Sequence, residues 1–154
     1  SYTRTARNKT PRMYDEESCK KLKIGKGSKL REGSDVAIIA CGVMVSEAIR
    51  AAEELSKDGI GATVVDMHTI KPLDTELIDE LVRECKGIVT AEDHSVIGGL
   101  GSAVSEHVSY TGGVPIRMVG VTDRFGESGE PGELMDLMGI TYRDILDSCN
   151  SLLS

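Results

Sequence analysis

The feature that most constrains this chain is a repeated unit, in which a short apolar segment is followed by a longer segment with helical periodicity. The first unit starts with the continuous apolar run 36–41, which stops at Gly42. A helix is expected over 45–57, because the apolar residues there recur at the spacing of one helix face. A strand that is apolar at every position indicates burial on both faces of a sheet.

The same unit recurs to the end of the chain. The further predicted elements are strands at 62–66, 87–91 and 115–121 and helices at 98–110, 133–138 and 142–149. Asp74 is a suitable N-cap for a helix between the second and third strands, and Thr141 with Asp144 has the spacing of a capping box. This alternation predicts an α/β fold: a doubly wound, mostly parallel open sheet with helices on both faces.

Charge is distributed unevenly between the two ends of the chain. Residues 1–31 hold ten of the eighteen Lys and Arg and three acids, whereas the rest is strongly acidic, and the net charge is -7. We expect no nucleic-acid partner, because an acidic body repels a phosphate backbone. Residues 1–25 are expected to be an extended or disordered arm and linker, suited to another acidic protein surface, and 26–154 to be the domain.

Cysteine usage and hydropathy point to an ordinary intracellular protein. The four cysteines are scattered without a CxxC motif, which argues against a disulfide framework or a zinc site. The longest apolar run is only a few residues, so no membrane span or signal-peptide core is predicted. A cytoplasmic location is therefore expected, with no membrane partner.

Polar residues gather at one edge of the predicted sheet, the carboxyl ends of its strands, where open α/β sheets bind ligands. We call this edge the rim; its candidate residues are Asp66, His68, Glu92, Asp93, His94 and Asp123. One interpretation is a metal or acid–base site made by two histidines and two carboxylates, His68, His94, Asp66 and Glu92. The favoured interpretation is that these groups cap loops and contact a neighbouring domain. No residue is assigned a catalytic, cofactor-binding or metal-binding role.

Gly98, Gly99 and Gly101 precede or open the third helix. Glycines there could let backbone N–H groups hold a phosphate. The segment lacks the Lys-Ser/Thr of a P-loop and does not match the full dinucleotide fingerprint. Tight packing of the helix start against the sheet is the favoured explanation.

The loop 123–129 carries Phe125, the only Phe of the chain. A lone aromatic side chain in a polar loop either packs the loop onto its own domain or anchors a partner. Both alternatives stay open at this point.

Several segments together resemble one family. They are SDVAIIACG (34–42), VVDMHTIKPLD (64–74), TAEDH (90–94) followed by GGLGS (98–102), and DRFGESG (123–129). In this order and spacing they resemble the C-terminal domain of transketolase-type thiamine diphosphate enzymes. YTRTAR (2–7) followed by TP (10–11) is similar to the tail of the family's preceding pyrimidine-binding domain, so an excised fragment is expected.

The resemblance implies an intact homodimeric enzyme of the pentose phosphate pathway that moves a two-carbon ketol unit between sugar phosphates. It implies thiamine diphosphate and a divalent cation, magnesium, in that enzyme, and none bound to this chain, because the family's GDG…Asn motif is absent. The remaining transketolase domains or subunit would be the partner. The chain itself would serve dimer assembly and active-site architecture and be inactive alone.

Three alternatives remain. The same domain shape occurs in 1-deoxyxylulose-5-phosphate synthase and in the beta subunit of 2-oxo-acid dehydrogenases. The chain could instead be an independent regulatory module that binds a phosphorylated metabolite at the rim. It could also be a small free-standing enzyme that uses His94 with Glu92.

Overall fold

The structure is a computed structural model that describes residues 2–6 and 10–154. A single five-stranded sheet has the order β1-β3-β2-β4-β5. Its strands are β1 (Ser28–Arg31), β2 (Val36–Ala40), β3 (Ala62–Asp66), β4 (Ile88–Ser95) and β5 (Ile116–Val121). β1 is antiparallel to β3, and the other neighbours are parallel.

Helices cover both faces of this sheet. They are α1 (Glu16–Cys19), α2 (Met44–Lys57), α3 (Thr75–Glu84), α4 (Leu100–Thr111), α5 (Pro131–Met138) and α6 (Tyr142–Leu153). α2 and α6 pack on one face, with Ile38 of β2 in the same apolar cluster. α3 and α4 pack on the other face, with Ile39 in the second cluster. Every residue of β2 is buried, so the predicted doubly wound α/β fold is confirmed.

Most predicted boundaries hold to within a few residues, and the deviations have local causes. Asp74 caps α3 as expected, and the capping box of Thr141 and Asp144 opens α6, which runs on to Leu153. β4 is longer than predicted, because Ser95 pairs with Val121 beyond a register shift and keeps the polar end of the strand in the sheet. Among the described residues, no helix is long and apolar enough to cross a membrane.

The arm differs from its prediction. Residues 2–6 and 10–15 have no regular secondary structure, as expected, but Arg4 and Tyr14 bond to this domain's own rim, at Asp93 and Asp66. Met13 packs against the α2–α6 cluster, and Tyr14 is half-buried. The segment expected to be only a linker contains α1, which a capping box of Asp15 and Ser18 begins. Residues 1 and 7–9 of the arm lie outside the described residues.

Candidate functional site

Glu92 is the most deeply buried acid of the rim, with 1% of its surface exposed. Its Oε2 accepts a hydrogen bond from the Leu100 N–H at 2.8 Å, and its Oε1 accepts one from the Gly101 N–H, also at 2.8 Å. These amides belong to the first turn of α4, where a helix has unpaired N–H groups and positive potential. Gly99, the N-cap residue of α4, has no side chain that could cap the helix. Glu92 of β4 caps it instead.

Two glycines at the start of α4 leave room for side chains of β4. A Cβ atom on Gly99 would lie 2.0 Å from Oε2 of Glu92, and one on Gly101 would lie 2.8 Å from Oγ1 of Thr90. Gly98 has a φ of +76°, in the left-handed region. Two amides that a phosphate would need are already bonded to Glu92. The geometry therefore agrees with the packing explanation of these glycines.

Asp66 ends β3 and is also buried, with 7% exposed. Its Oδ2 accepts a hydrogen bond from the Tyr14 hydroxyl at 2.7 Å, whereas its Oδ1 is buried without a hydrogen-bond partner among the described residues. Burial raises the pKa of the Asp66 carboxyl, and the bond from Tyr14 opposes part of that rise. The pKa of Tyr14 is raised too, first by burial and then by its bond to Asp66.

Removing the Tyr14 hydroxyl should cost stability at neutral pH. We expect Tyr14→Phe to lower the free energy of unfolding by about 1–3 kcal/mol, because it removes the one side-chain donor that the described residues give to this buried carboxylate. The pKa of Asp66 should rise further. Since the native state then takes up a proton that the unfolded state does not, stability should recover as the pH falls through the raised pKa.

Urea unfolding at several pH values, beside a carboxyl NMR titration of Asp66, measures both effects. Tyr110→Phe is the matched control, because Tyr110 is 91% exposed. An equal loss in the two variants, or a loss in Tyr14→Phe that grows on acidification, would contradict the prediction.

The rim histidines are not assembled into an acid–base or metal site. His68 and His94 are exposed, and each Nδ1 lies 2.9 Å from an oxygen of the next residue, Thr69 Oγ1 and the Ser95 carbonyl. His94 Nδ1 is 3.9 Å from Oε2 of Glu92. Over residues 2–6 and 10–154, no three His, Cys, Asp or Glu side chains are grouped to hold a metal ion.

Asp93 carries the second contact between the arm and the rim. The Arg4 guanidinium donates to the Asp93 carbonyl at 2.8 Å and to its Oδ2 at 3.2 Å. Sequence reasoning missed Arg4 and Tyr14 as rim contacts, since no periodicity joins the arm to the strand ends. The available signal was an acid at the end of a buried strand, which needs a donor.

Cys41 directly follows β2, is partly buried and lies near the charges of the rim. Burial raises the pKa of its thiol to about 12, with smaller contributions from Glu92 and Asp66. A thiol that stays protonated at neutral pH is a poor nucleophile. Cys41 therefore contributes packing to the rim.

The loop 123–129 lies beyond β5 and presents Phe125 to solvent with 94% of its surface exposed. Arg124 holds the loop: its guanidinium donates to Glu127 at 2.6 Å and to the Leu137 carbonyl at 3.3 Å. Asp123 is exposed as well. The alternative in which the Phe125 ring packs its own loop onto the domain is therefore wrong. Ile97, on the neighbouring loop after β4, is 66% exposed.

Comparison with known proteins identifies relatives along nearly the whole chain. A family profile described as transketolase, C-terminal domain, matches residues 25–145. A 6-deoxy-6-sulfo-D-fructose transketolase subunit, SqwH, of Clostridium sp. (strain MSTE9) is 44% identical over 98% of this chain and 46% of its own length. A putative transketolase C-terminal section of Methanocaldococcus jannaschii is 43% identical over 94% of this chain and 45% of its own length.

A second enzyme class and a solved structure are also similar. The 1-deoxy-D-xylulose-5-phosphate synthase of Trichormus variabilis is 44% identical over 86% of this chain and 21% of its own length. A solved structure described as a split gene transketolase, inactive beta4 tetramer, is 44% identical with a TM-score of 0.91, over 96% of this chain and 48% of that one. The chain thus spans about half the length of the transketolase relatives.

Proposed function

The chain belongs to the transketolase C-terminal domain family, and we propose that it serves the assembly and active-site architecture of a transketolase rather than carrying out the chemistry itself. The observation that carries the proposal is the state of the rim. Both oxygens of Glu92 bind amides of α4, and Asp66 binds Tyr14. The buried carboxylates of the rim, which acid–base or metal chemistry would require, hold α4 and the arm in place. The apolar side chains of Phe125 and Ile97 are exposed to solvent.

The intact enzyme would transfer a two-carbon ketol unit between sugar phosphates, as a homodimer of the whole enzyme, with the remaining transketolase domains or subunit as this chain's partner. Thiamine diphosphate supplies the carbanion chemistry of that transfer. The described residues do not fit this cofactor and its metal, because they group no three metal-binding side chains. Both oxygens of Glu92 are bonded to α4, and Asp66, bonded to Tyr14 through one oxygen, has only its other oxygen without a partner. We therefore assign the cofactor site to the partner.

We expect the 154-residue chain not to bind thiamine diphosphate with magnesium. Calorimetric titration should give no heat of binding, because the described residues of the rim do not group the acidic side chains that a metal ion needs. A full-length transketolase titrated in parallel is the control. Binding in the micromolar range would contradict the assembly role.

Two chimeras test the function itself. In one, residues 26–154 replace the matching half of the Clostridium transketolase subunit; in the other, they replace the matching end of the Trichormus 1-deoxy-D-xylulose-5-phosphate synthase. We expect the first to keep ketol transfer within about tenfold of the parent, because interface contacts decide assembly. Each parent truncated before the exchanged part is the control. Activity restored only in the second chimera would favour the synthase alternative.

A further inference from the structure

The order of the strands leaves one crevice at the rim. β2 lies between β3 and β4 in the sheet. The chain leaves β2 through α2, which packs on one face, and it leaves β4 through α4, which packs on the other face. The connections that follow these two neighbouring strands therefore diverge. Open α/β sheets bind ligands at such a point, where the strand order reverses.

Two anchors attach the arm on either side of this crevice. On one side, the Tyr14 hydroxyl donates to Asp66 at the end of β3, at 2.7 Å. On the other side, the Arg4 guanidinium donates to the carbonyl and the carboxylate of Asp93 in β4. The end of β2 and the crevice lie between these two strands. We call the described arm residues, 2–6 and 10–15, the strap.

Cys41, which directly follows β2, lies between the two anchors. Its side chain is only partly exposed. Burial is the main cause of the raised pKa of its thiol, and the charges of Asp66, Arg4 and Asp93 act on the thiol as well. The thiol is therefore close to both ends of the strap, and its access to solvent depends on what covers the crevice.

Both anchors are weak enough to open. The side chains of Arg4 and Asp93 are each about half exposed, and exposed ion pairs contribute little to stability. Tyr14 bonds to one oxygen of Asp66, while the other oxygen is buried without a hydrogen-bond partner among the described residues. The docked strap thus keeps a carboxylate from water in return for one hydrogen bond, and the raised pKa of Asp66 reflects this burial.

We propose that the strap is a removable cover of the rim crevice. While Tyr14 and Arg4 hold it, the crevice is closed to ligands, and when it leaves, Asp66 and Cys41 become accessible without unfolding of the sheet. The sheet does not depend on the strap, because every residue of β2 and β3 is buried and Met13 is the one strap residue that packs against the apolar clusters. This device acts within the chain and is independent of the proposed role in assembly.

Labelling of Cys41 with iodoacetamide tests the proposal on the full 154-residue chain, with each cysteine followed separately by peptide mass spectrometry. The labelling rate of a covered thiol is proportional to the population in which the cover is open. We expect Arg4→Ala to raise the Cys41 rate about threefold, because it removes an exposed ion pair. Tyr14→Phe should raise it about tenfold or more, because it removes a bond to a buried carboxylate.

Two buried cysteines and one arm residue serve as controls. Cys85 and Cys149 lie in the two apolar clusters, so their labelling measures unfolding of the whole domain. Tyr2→Ala is the matched control for Arg4→Ala, because Tyr2 belongs to the same arm and is 91% exposed. It should leave the Cys41 rate unchanged.

Faster labelling of Cys41 in both variants, with Cys85 and Cys149 unchanged in Arg4→Ala, supports the proposal. Arg4→Ala decides the result if Tyr14→Phe destabilises the whole domain, because its ion pair lies at the surface. An unchanged Cys41 rate in either variant would overturn the proposal. A parallel rise at all three thiols in Arg4→Ala would overturn it too, since Cys41 would then be reached only by unfolding of the domain.

Discussion

Replacing Glu92 by Ala should lower the free energy of unfolding by about 4 kcal/mol, a large part of the stability of a domain of this size. The reason is the geometry at the start of α4. The change removes both acceptors from the buried Leu100 and Gly101 amides, and an unpaired buried group costs about 1–3 kcal/mol. The vacated volume adds a cavity cost.

Glu92→Gln should be milder, at about 2 kcal/mol, because one amide can still bond to its carbonyl oxygen while the NH2 group faces the other amide. Asp93→Asn is the matched control, since Asp93 is an exposed neighbour whose ion pair with Arg4 is worth at most about 1 kcal/mol. Urea unfolding measures all three variants. Amide exchange should accelerate at Leu100 and Gly101 in Glu92→Ala. A Glu92→Ala protein as stable as Asp93→Asn would show that water replaces the carboxylate without cost.

The fold could be predicted from the sequence because its signals are local. A continuous apolar run marked β2, and Asp74 and the Thr141–Asp144 capping box marked helix starts that the structure confirms. The longer β4 could not be predicted, because its polar end stays in the sheet only through the pairing of Ser95 with Val121. That contact joins distant parts of the chain.

The sequence predicted where the rim lies but not which of its side chains are hydrogen-bonded within the domain. From the rule that open α/β sheets bind ligands at their strand ends, the sequence predicted Asp66, Glu92 and His94 at one edge. The structure places all three there. Whether a carboxylate can bind a ligand or is already hydrogen-bonded within the domain depends on the direction and the burial of its side chain. Glu92 turns inward to α4, while His94 turns out to solvent. Periodicity carries no information on that difference.

Gly99→Ala should lower the free energy of unfolding by about 3 kcal/mol, a cost at the upper end of those seen at overpacked sites. This loss is close to the one expected for Glu92→Ala. The backbone conformation is not the cause, because Gly99 has φ -100°, which any residue can adopt. The cause is steric: the new methyl group would lie 2.0 Å from Oε2 of Glu92 and 2.8 Å from the Ser95 carbonyl oxygen. Either the carboxylate or the start of α4 must move.

Alanine substitutions at two other glycines serve as controls that separate the steric clash at Gly99 from the general cost of replacing a glycine and from backbone strain. Gly126→Ala has open space and no positive φ, so it should change stability by less than about 0.5 kcal/mol. Gly98→Ala also has open space but a φ of +76°, so it should cost only about 1–2 kcal/mol of backbone strain. A loss in Gly99→Ala no larger than in Gly98→Ala would mean that the loop relaxes freely.

A double-mutant cycle identifies the atom responsible. Once Glu92 is replaced by Ala, the nearest obstacle to a Gly99 side chain is gone, and the Ser95 carbonyl at 2.8 Å remains. The cost of Gly99→Ala should therefore fall by about 1–3 kcal/mol in the Glu92→Ala background, the coupling expected of residues in contact. Strict additivity would assign the clash to the backbone at Ser95 instead. Because the Glu92 carboxylate is the nearer of the two obstacles at position 99, the coupling measures how much of the requirement for glycine there comes from the contact that fixes α4 to β4.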